Sequence, residues 1–196
     1  MPANPEPVVE SDCLLLKFVE KSRPNDVEDG KQSLATETGA EKKKEIMEKC
    51  FDCYCENGLA GTGIKALAKA CNMSPGNLYS YFSSLDQLIV ESTAYCMAKV
   101  EDDFMLLAPK SVHDIPRFLD EIPYWTKEKH GKKYRLMYQV YTHPKYKEAG
   151  TEFFIGVDKR YHEYAKRLEK VIGIPSNILT PIIFIFIWAS VHYALF

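Results

Sequence analysis

The sequence predicts an all-α fold, and three observations carry that prediction. From Glu41 onward apolar residues recur at i, i+3, i+4 and i+7. No segment alternates apolar and polar residues as a half-buried strand would. Capping residues, glycines and prolines fall where the periodic segments begin and end.

With 196 residues, 46% of them hydrophobic and 27% charged, the chain has the composition of a soluble globular protein and length enough for a sizeable core. The formal net charge of −2 is unevenly spread. Residues 1–40 hold four Lys/Arg against eight Asp/Glu, and 41–196 hold 21 against 19, so the folded part is only weakly basic. Charge alone therefore neither requires nor excludes a nucleic-acid partner. Six cysteines, at 13, 50, 53, 55, 71 and 96, lack the spacing of a secreted disulfide scaffold. The Cys13–Phe18 run, with Leu14, Leu15 and Leu16, is too short for a signal sequence and has no basic leader. The expected location is the reducing cytoplasm.

Residues 1–40 have early prolines, mixed charge and no apolar period, so a flexible, disordered leader is expected there. A head is expected over 41–86 and a helical body over 87–196. The first helix spans about Lys43 to Glu56, with Ile46, Cys50, Cys53 and Tyr54 on one face and Gly58 as its stop. A short second helix carries Ile64, Leu67, Ala68 and Cys71, and Asn72 supplies a left-handed turn. Ser74-Pro75 reads as an N-cap with proline at the first helical position, opening a third helix to about Phe82. Ser84 to Gln87 fits a capping box that opens a long fourth helix, lasting to about Leu107. Further helices are expected over 114–129, 132–142, 146–172 and 177–196, punctuated by Gly131, Pro144, Gly173 and Pro175, with a kink at Pro123. The stripe Phe154, Val157, Tyr161, Tyr164, Ala165, Leu168 and Ile172 calls for a partner helix.

The block 46–88 reads as a helix-turn-helix. Leu78, Tyr81 and Phe82 point inward from the third helix, while Gly76, Asn77 and Ser80 project outward, with Tyr79 at the margin. Small and amide side chains suit close entry into a major groove, where Asn makes paired hydrogen bonds to adenine. Tyr79, Tyr81, the Thr62 hydroxyl and the amides that follow Ser74 and Pro75 are candidate phosphate donors, and Lys65 and Lys69 add charge.

The same block resembles the DNA-binding segment of the TetR family. The residues that carry the resemblance are Tyr54-Cys55-Glu56-Asn57-Gly58, then Thr62-Gly63-Ile64-Lys65-Ala66-Leu67-Ala68, then Ser74-Pro75-Gly76-Asn77-Leu78-Tyr79-Ser80-Tyr81-Phe82. It implies a homodimer joined through its C-terminal helices, with two recognition helices in successive major grooves of a palindromic operator on double-stranded DNA, on the order of 34 Å apart. It also implies a repressor whose C-terminal domain binds a small-molecule effector that releases DNA. Leu85 stands where the family usually has Lys, Gly63 where a second Thr is common, and Pro75 where a polar residue is frequent. Operator affinity is expected to be modest for that reason, with a flatter salt dependence.

Cys50, Cys53 and Cys55 lie at i, i+3 and i+5, which splays the third thiol away, so they read as core residues and no metal is expected. The apolar run Ile182–Phe196 is interrupted by Ser190 and His192 and falls short of the usual ~20 residues for a span, which favours a dimer interface over a membrane anchor. Its breaking off at Phe196 reads as a pattern that continues beyond the sequence given. Phe104, Trp125, Tyr138, Tyr141, Tyr161, His162 and Trp188 are candidate effector contacts among the aromatic residues of the body. No Ser-His-Asp order, glycine-rich phosphate loop or paired-carboxylate motif stands out, so neither an enzyme nor a cofactor is expected. The alternative is a helical ligand-binding or membrane-tethered interaction protein with little DNA affinity. It rests on Leu85 and on a head whose six Lys face six acids.

Overall fold

The computed structural model describes residues 32–196, with side chains from Thr38 onward. The described residues form seven α-helices and two short 3-10 turns, and no strand. The helices are α1 (Gln32–Asn57), α2 (Ile64–Ala70), α3 (Pro75–Tyr79), α4 (Leu85–Leu106), α5 (Ile115–Tyr141), α6 (Lys147–Ile172) and α7 (Ser176–Ala194).

The first three helices pack with the start of α4. Ile46, Met47, Cys50, Phe51 and Tyr54 from α1 meet Leu67 and Cys71, then Leu78, Phe82, Leu88 and Ile89, all buried. The turns that fold this head follow from single residues. Gly58 ends α1 at φ 75° with its N–H on the Tyr54 carbonyl, and Asn72 takes φ 53° between α2 and α3. Ser74 accepts from the Asn77 N–H at 3.2 Å and Ser84 from the Gln87 N–H at 3.1 Å, capping α3 and α4. The capping box at Ser84 is half formed: the Gln87 side chain accepts from the Ser83 N–H, one residue before the cap.

Three boundaries differ from the sequence reading. The leader expected over 1–40 lies outside the described residues up to 31, but 32–40 are already helical as the start of α1. Once the turn around Ile46 is fixed by the core, extending it costs little per residue, and Ser33-Leu34-Ala35-Thr36-Glu37 contains no breaker. The third helix ends at Tyr79, because the N–H groups of Tyr81 and Phe82 both turn back to Leu78. The segments 114–129 and 132–142 are one helix, α5, which runs through both Pro123 and Gly131. Gly131 is a contact position rather than a stop: a Cβ there would lie 3.0 Å from the Ala194 carbonyl oxygen of α7.

In the body, α7 lies against both α5 and α6 and is the partner that the α6 stripe called for. Leu179, Ile183, Ile187, Val191 and Ala194 form its buried row, while Ile178, Ile182 and Ile185 remain exposed on another face. With 19 residues and a mean hydropathy of 1.5, α7 is the one helix among the described residues long and apolar enough to cross a membrane, and a third of its apolar window is buried. The continuous α4 joins head and body, carrying Leu88 and Ile89 into the first and Met97, Val100 and Phe104 into the second.

Candidate nucleic-acid interface

The recognition helix is presented by two anchors. Leu78 and Phe82 are 1% and 2% exposed and plug into the core of the head, and the Lys43 ammonium lies 4.9 Å over the Phe82 ring. With the inner face fixed, Ser74, Pro75, Gly76, Asn77, Tyr79 and Ser80 face outward. The Asn77 amide makes no hydrogen bond through its side chain among the described residues, so both its donor and its acceptor are available to a base edge. Gly76 has only the Ser74 hydroxyl near the position of a Cβ, at 3.9 Å, so a DNA backbone can approach it closely. Ser80 is partly engaged, donating its hydroxyl to the Asn77 carbonyl at 2.6 Å.

Thr62 is placed differently from its sequence reading, while Tyr81 packs inward as expected. Thr62 is 7% exposed and donates its hydroxyl to the Gly58 carbonyl at 2.7 Å, so it ties the loop between α1 and α2 instead of offering its proton to a phosphate. Tyr81 is half-buried against the core, whereas Tyr79, 48% exposed, stands free at the rim. Leu85 also packs inward, which explains an apolar residue at that position and leaves no cation there.

The head's electrostatics are largely internal. Lys42 and Lys49 both bond Glu45, whose carboxyl they hold down at about 2, and Lys43 pairs with Glu91. Lys65 and Lys69, exposed on α2 beside the recognition helix, make no ion pair among the described residues. Lys44 on α1 is likewise outside these pairs, so among the described residues the head's unpaired positive charge lies on Lys44, Lys65 and Lys69. Cys50 faces Cys71, with 3.5 Å between the sulfurs, as part of the buried core, and its hydrogen bond with Cys71, followed by burial, pushes its thiol up.

The body holds two small voids of about 20 Å³ each, both lined by Glu101, Tyr134, Tyr161 and Ile187. Of the aromatic candidates, Trp188 lines one, Phe104 the other and Tyr161 both. Tyr138 and Tyr141 stand behind this wall, Tyr138 edge-on to Trp188 and Tyr141 stacked on Phe153 at 4.8 Å. Trp125 does not reach the voids; it packs on His130 and lines an open cleft with Phe118 and Ile122. His162 is exposed on the outer face of α6, bonded to its own helix at the Asp158 carbonyl. Sequence reasoning missed Glu101 and Arg160, which form a largely buried ion pair between α4 and α6. Glu101 sits between Met97, Val100 and Phe104 on the inward face of α4, and that misplaced charge was the signal available. Burial raises the Glu101 carboxyl, and Arg160 opposes the shift.

Residues 46–91 match the family model described as "Bacterial regulatory proteins, tetR family". No curated protein and no solved structure matches the chain. The match covers the second half of α1, α2, α3 and the first turns of α4, so this head is similar to the DNA-binding domain of tetR-type regulators.

Proposed function

We propose that this regulator, with its TetR-type head, is a cytoplasmic homodimeric repressor that leaves a palindromic operator when a small molecule enters its body. The observation that carries the reading is the recognition helix: Leu78 and Phe82 fix it from within, and Gly76, Asn77, Tyr79 and Ser80 are left outward. Asn77 reads adenine, Tyr79 holds a phosphate, and Lys65 supplies a phosphate contact from α2; Ser74, Pro75 and Ser80 line the approach, and Tyr81 braces the helix at its margin.

The effector step is supported by the position of α4. That helix begins directly behind the recognition helix and ends against the body voids, with Met97, Glu101 and Phe104 in their walls. An effector shifts the operator equilibrium only by as much as it prefers the spacing that does not fit DNA.

Selection of bound duplexes from a random pool, at fixed moderate salt, tests the reading with the full chain and its Asn77→Ala and Tyr79→Ala variants. Recovery of a palindrome that both variants lose is the expected result. No enrichment from a folded dimer, even at low salt, would sink it.

One observation favours a second reading, a helical ligand-binding or membrane-tethered protein: the outward apolar row of α7 on a helix of sufficient length to span. Flotation with vesicles separates the two. A dimer that stays in the aqueous fraction supports the regulator, and a monomer that floats supports the tether.

A further inference from the structure

We infer that the body cavity takes a small organic acid, its carboxylate held by Arg160 and Tyr164 and its apolar part laid against Phe153, Val157 and Trp188. This rests on the effector reading above and names the chemistry of that effector.

The two voids are walled mainly by apolar and aromatic side chains, yet two buried donors in the wall of one of them have no acceptor among the described residues: Arg160 Nη2 and the Tyr164 hydroxyl. A buried donor left without an acceptor costs more than the hydrogen bond it could make. Glu101, the carboxylate that faces these groups, is 15% exposed and engages Arg160 through Nε, which leaves the outer edge of the guanidinium unused. What the cavity lacks is therefore an acceptor. A carboxylate suits it best, because a guanidinium offers parallel donors at the spacing of two carboxylate oxygens.

Each void has room for about one water, so the ligand must displace the Tyr161 ring that lines both and join them into one chamber. Such a chamber accepts a compact acid with an aromatic or branched body and excludes a bulky one.

Two carboxylates then face one guanidinium, and Glu101 takes up a proton from solvent as the acid binds. The groups around Glu101 agree with this. Tyr134 from α5 and Tyr161 from α6 are neutral, α7 contributes Ile187, and the adjacent Asp102 adds negative charge. Affinity for the acid therefore rises as pH falls. Because Glu101 belongs to α4, loosening its grip on Arg160 acts on the helix that carries the head.

Titration calorimetry on the full-length dimer tests this with 3-phenylpropanoate, its amide and 3-phenylpropylamine, in two buffers of different ionisation enthalpy. The acid is expected to bind at least tenfold tighter than the amide and to take up close to one proton. Glu101→Gln should bind the acid about tenfold tighter near neutral pH with no proton uptake, and Arg160→Gln should no longer distinguish acid from amide. An amide or amine that binds as tightly as the acid would overturn the proposal, as would Glu101→Gln with unchanged affinity and proton count, or no acid binding at millimolar concentration. Should Arg160→Gln fail to fold, the proton count of Glu101→Gln decides alone. Operator binding is measured on the same preparations: its loss with acid binding intact overturns the repressor reading and leaves the pocket standing.

Discussion

Tyr146 donates its hydroxyl to Asp86 at 2.6 Å, and the neighbouring Lys145 ammonium lies 2.7 Å from the other carboxylate oxygen. The donors sit on the 3-10 turn Pro144–Tyr146 between α5 and α6, and the acceptor on the first turn of α4. Body and head are thus clamped immediately behind the recognition helix. Lys145 and then Tyr146 hold the Asp86 carboxyl below its ordinary range. A depressed acid stabilises the fold above its unfolded value, near 4, and that contribution disappears as pH falls further.

Removing the clamp tests its strength. Tyr146→Phe and Asp86→Asn should each lower stability by about 1 kcal/mol, with the double variant losing less than the sum. A double-mutant cycle on urea midpoints measures the coupling. Additive losses would mean that the two groups act independently. If the clamp transmits the effector's signal, Tyr146→Phe also weakens effector-driven operator release while leaving operator affinity in place.

The recognition helix should separate stability from recognition. Leu78→Ala removes an anchor 1% exposed and should cost about 2–4 kcal/mol, and Ser74→Ala about 1 kcal/mol through its cap on the Asn77 N–H. Asn77→Ala and Tyr79→Ala, both at exposed positions, should leave the thermal midpoint almost unmoved. Parallel thermal melts and operator titrations check the split, and a large loss of stability at Asn77 would contradict the outward placement.

The head was legible because each of its turns hangs on one residue type: Gly58, Asn72, Ser74-Pro75 and Ser84 all do locally what their chemistry dictates. The body was less legible because its punctuation is tertiary. Gly131 looks like a helix stop in sequence, yet it is needed for the close approach of the Ala194 carbonyl. Thr62 fits a phosphate-binding pattern by type, but its hydroxyl is committed to the Gly58 carbonyl and ties the loop between α1 and α2. The Glu101–Arg160 pair joins residues far apart in sequence, and no periodicity marks such a partner. Of the six aromatic residues expected as effector contacts, Phe104, Tyr161 and Trp188 line the two body voids and the other three do not, because helix pairing rather than residue type decides which rings meet.

His130 makes stability depend on pH in a window of its own. Burial lowers its pKa to about 4, with Lys133 and Lys129 opposing the charged form and Asp103, at 3.8 Å, favouring it. The ring is 5% exposed and packs on Trp125. A His held neutral leaves stability intact above about 6.5 and erodes it as pH falls toward 4, because only the unfolded chain takes the proton there. The loss between pH 7.5 and 5 should be on the order of 2 kcal/mol. Urea midpoints across this range, with His130→Gln flattening the slope, check it; Asp86 contributes only at lower pH, so the two do not overlap.

The outward face of α7 is the surface through which the proposed dimer would meet. Ile178, Ile182 and Ile185 are 50%, 55% and 68% exposed, and they follow one another at helical spacing opposite the row that packs on α5 and α6. A contiguous apolar stripe on a surface marks an interaction site, and a twofold partner presenting the same stripe would cover it without new chemistry. Ile182→Glu with Ile185→Glu places two charges in that seam, each facing its copy across the axis. Sedimentation should then show a monomer at concentrations where the parent chain is dimeric, a loss of at least a hundredfold in association, while the helical circular dichroism stays unchanged because neither side chain belongs to the monomer's core. A doubly substituted chain that remains dimeric would move the interface off α7. A chain that unfolds instead would mean that this face is buried within the monomer, against its exposure.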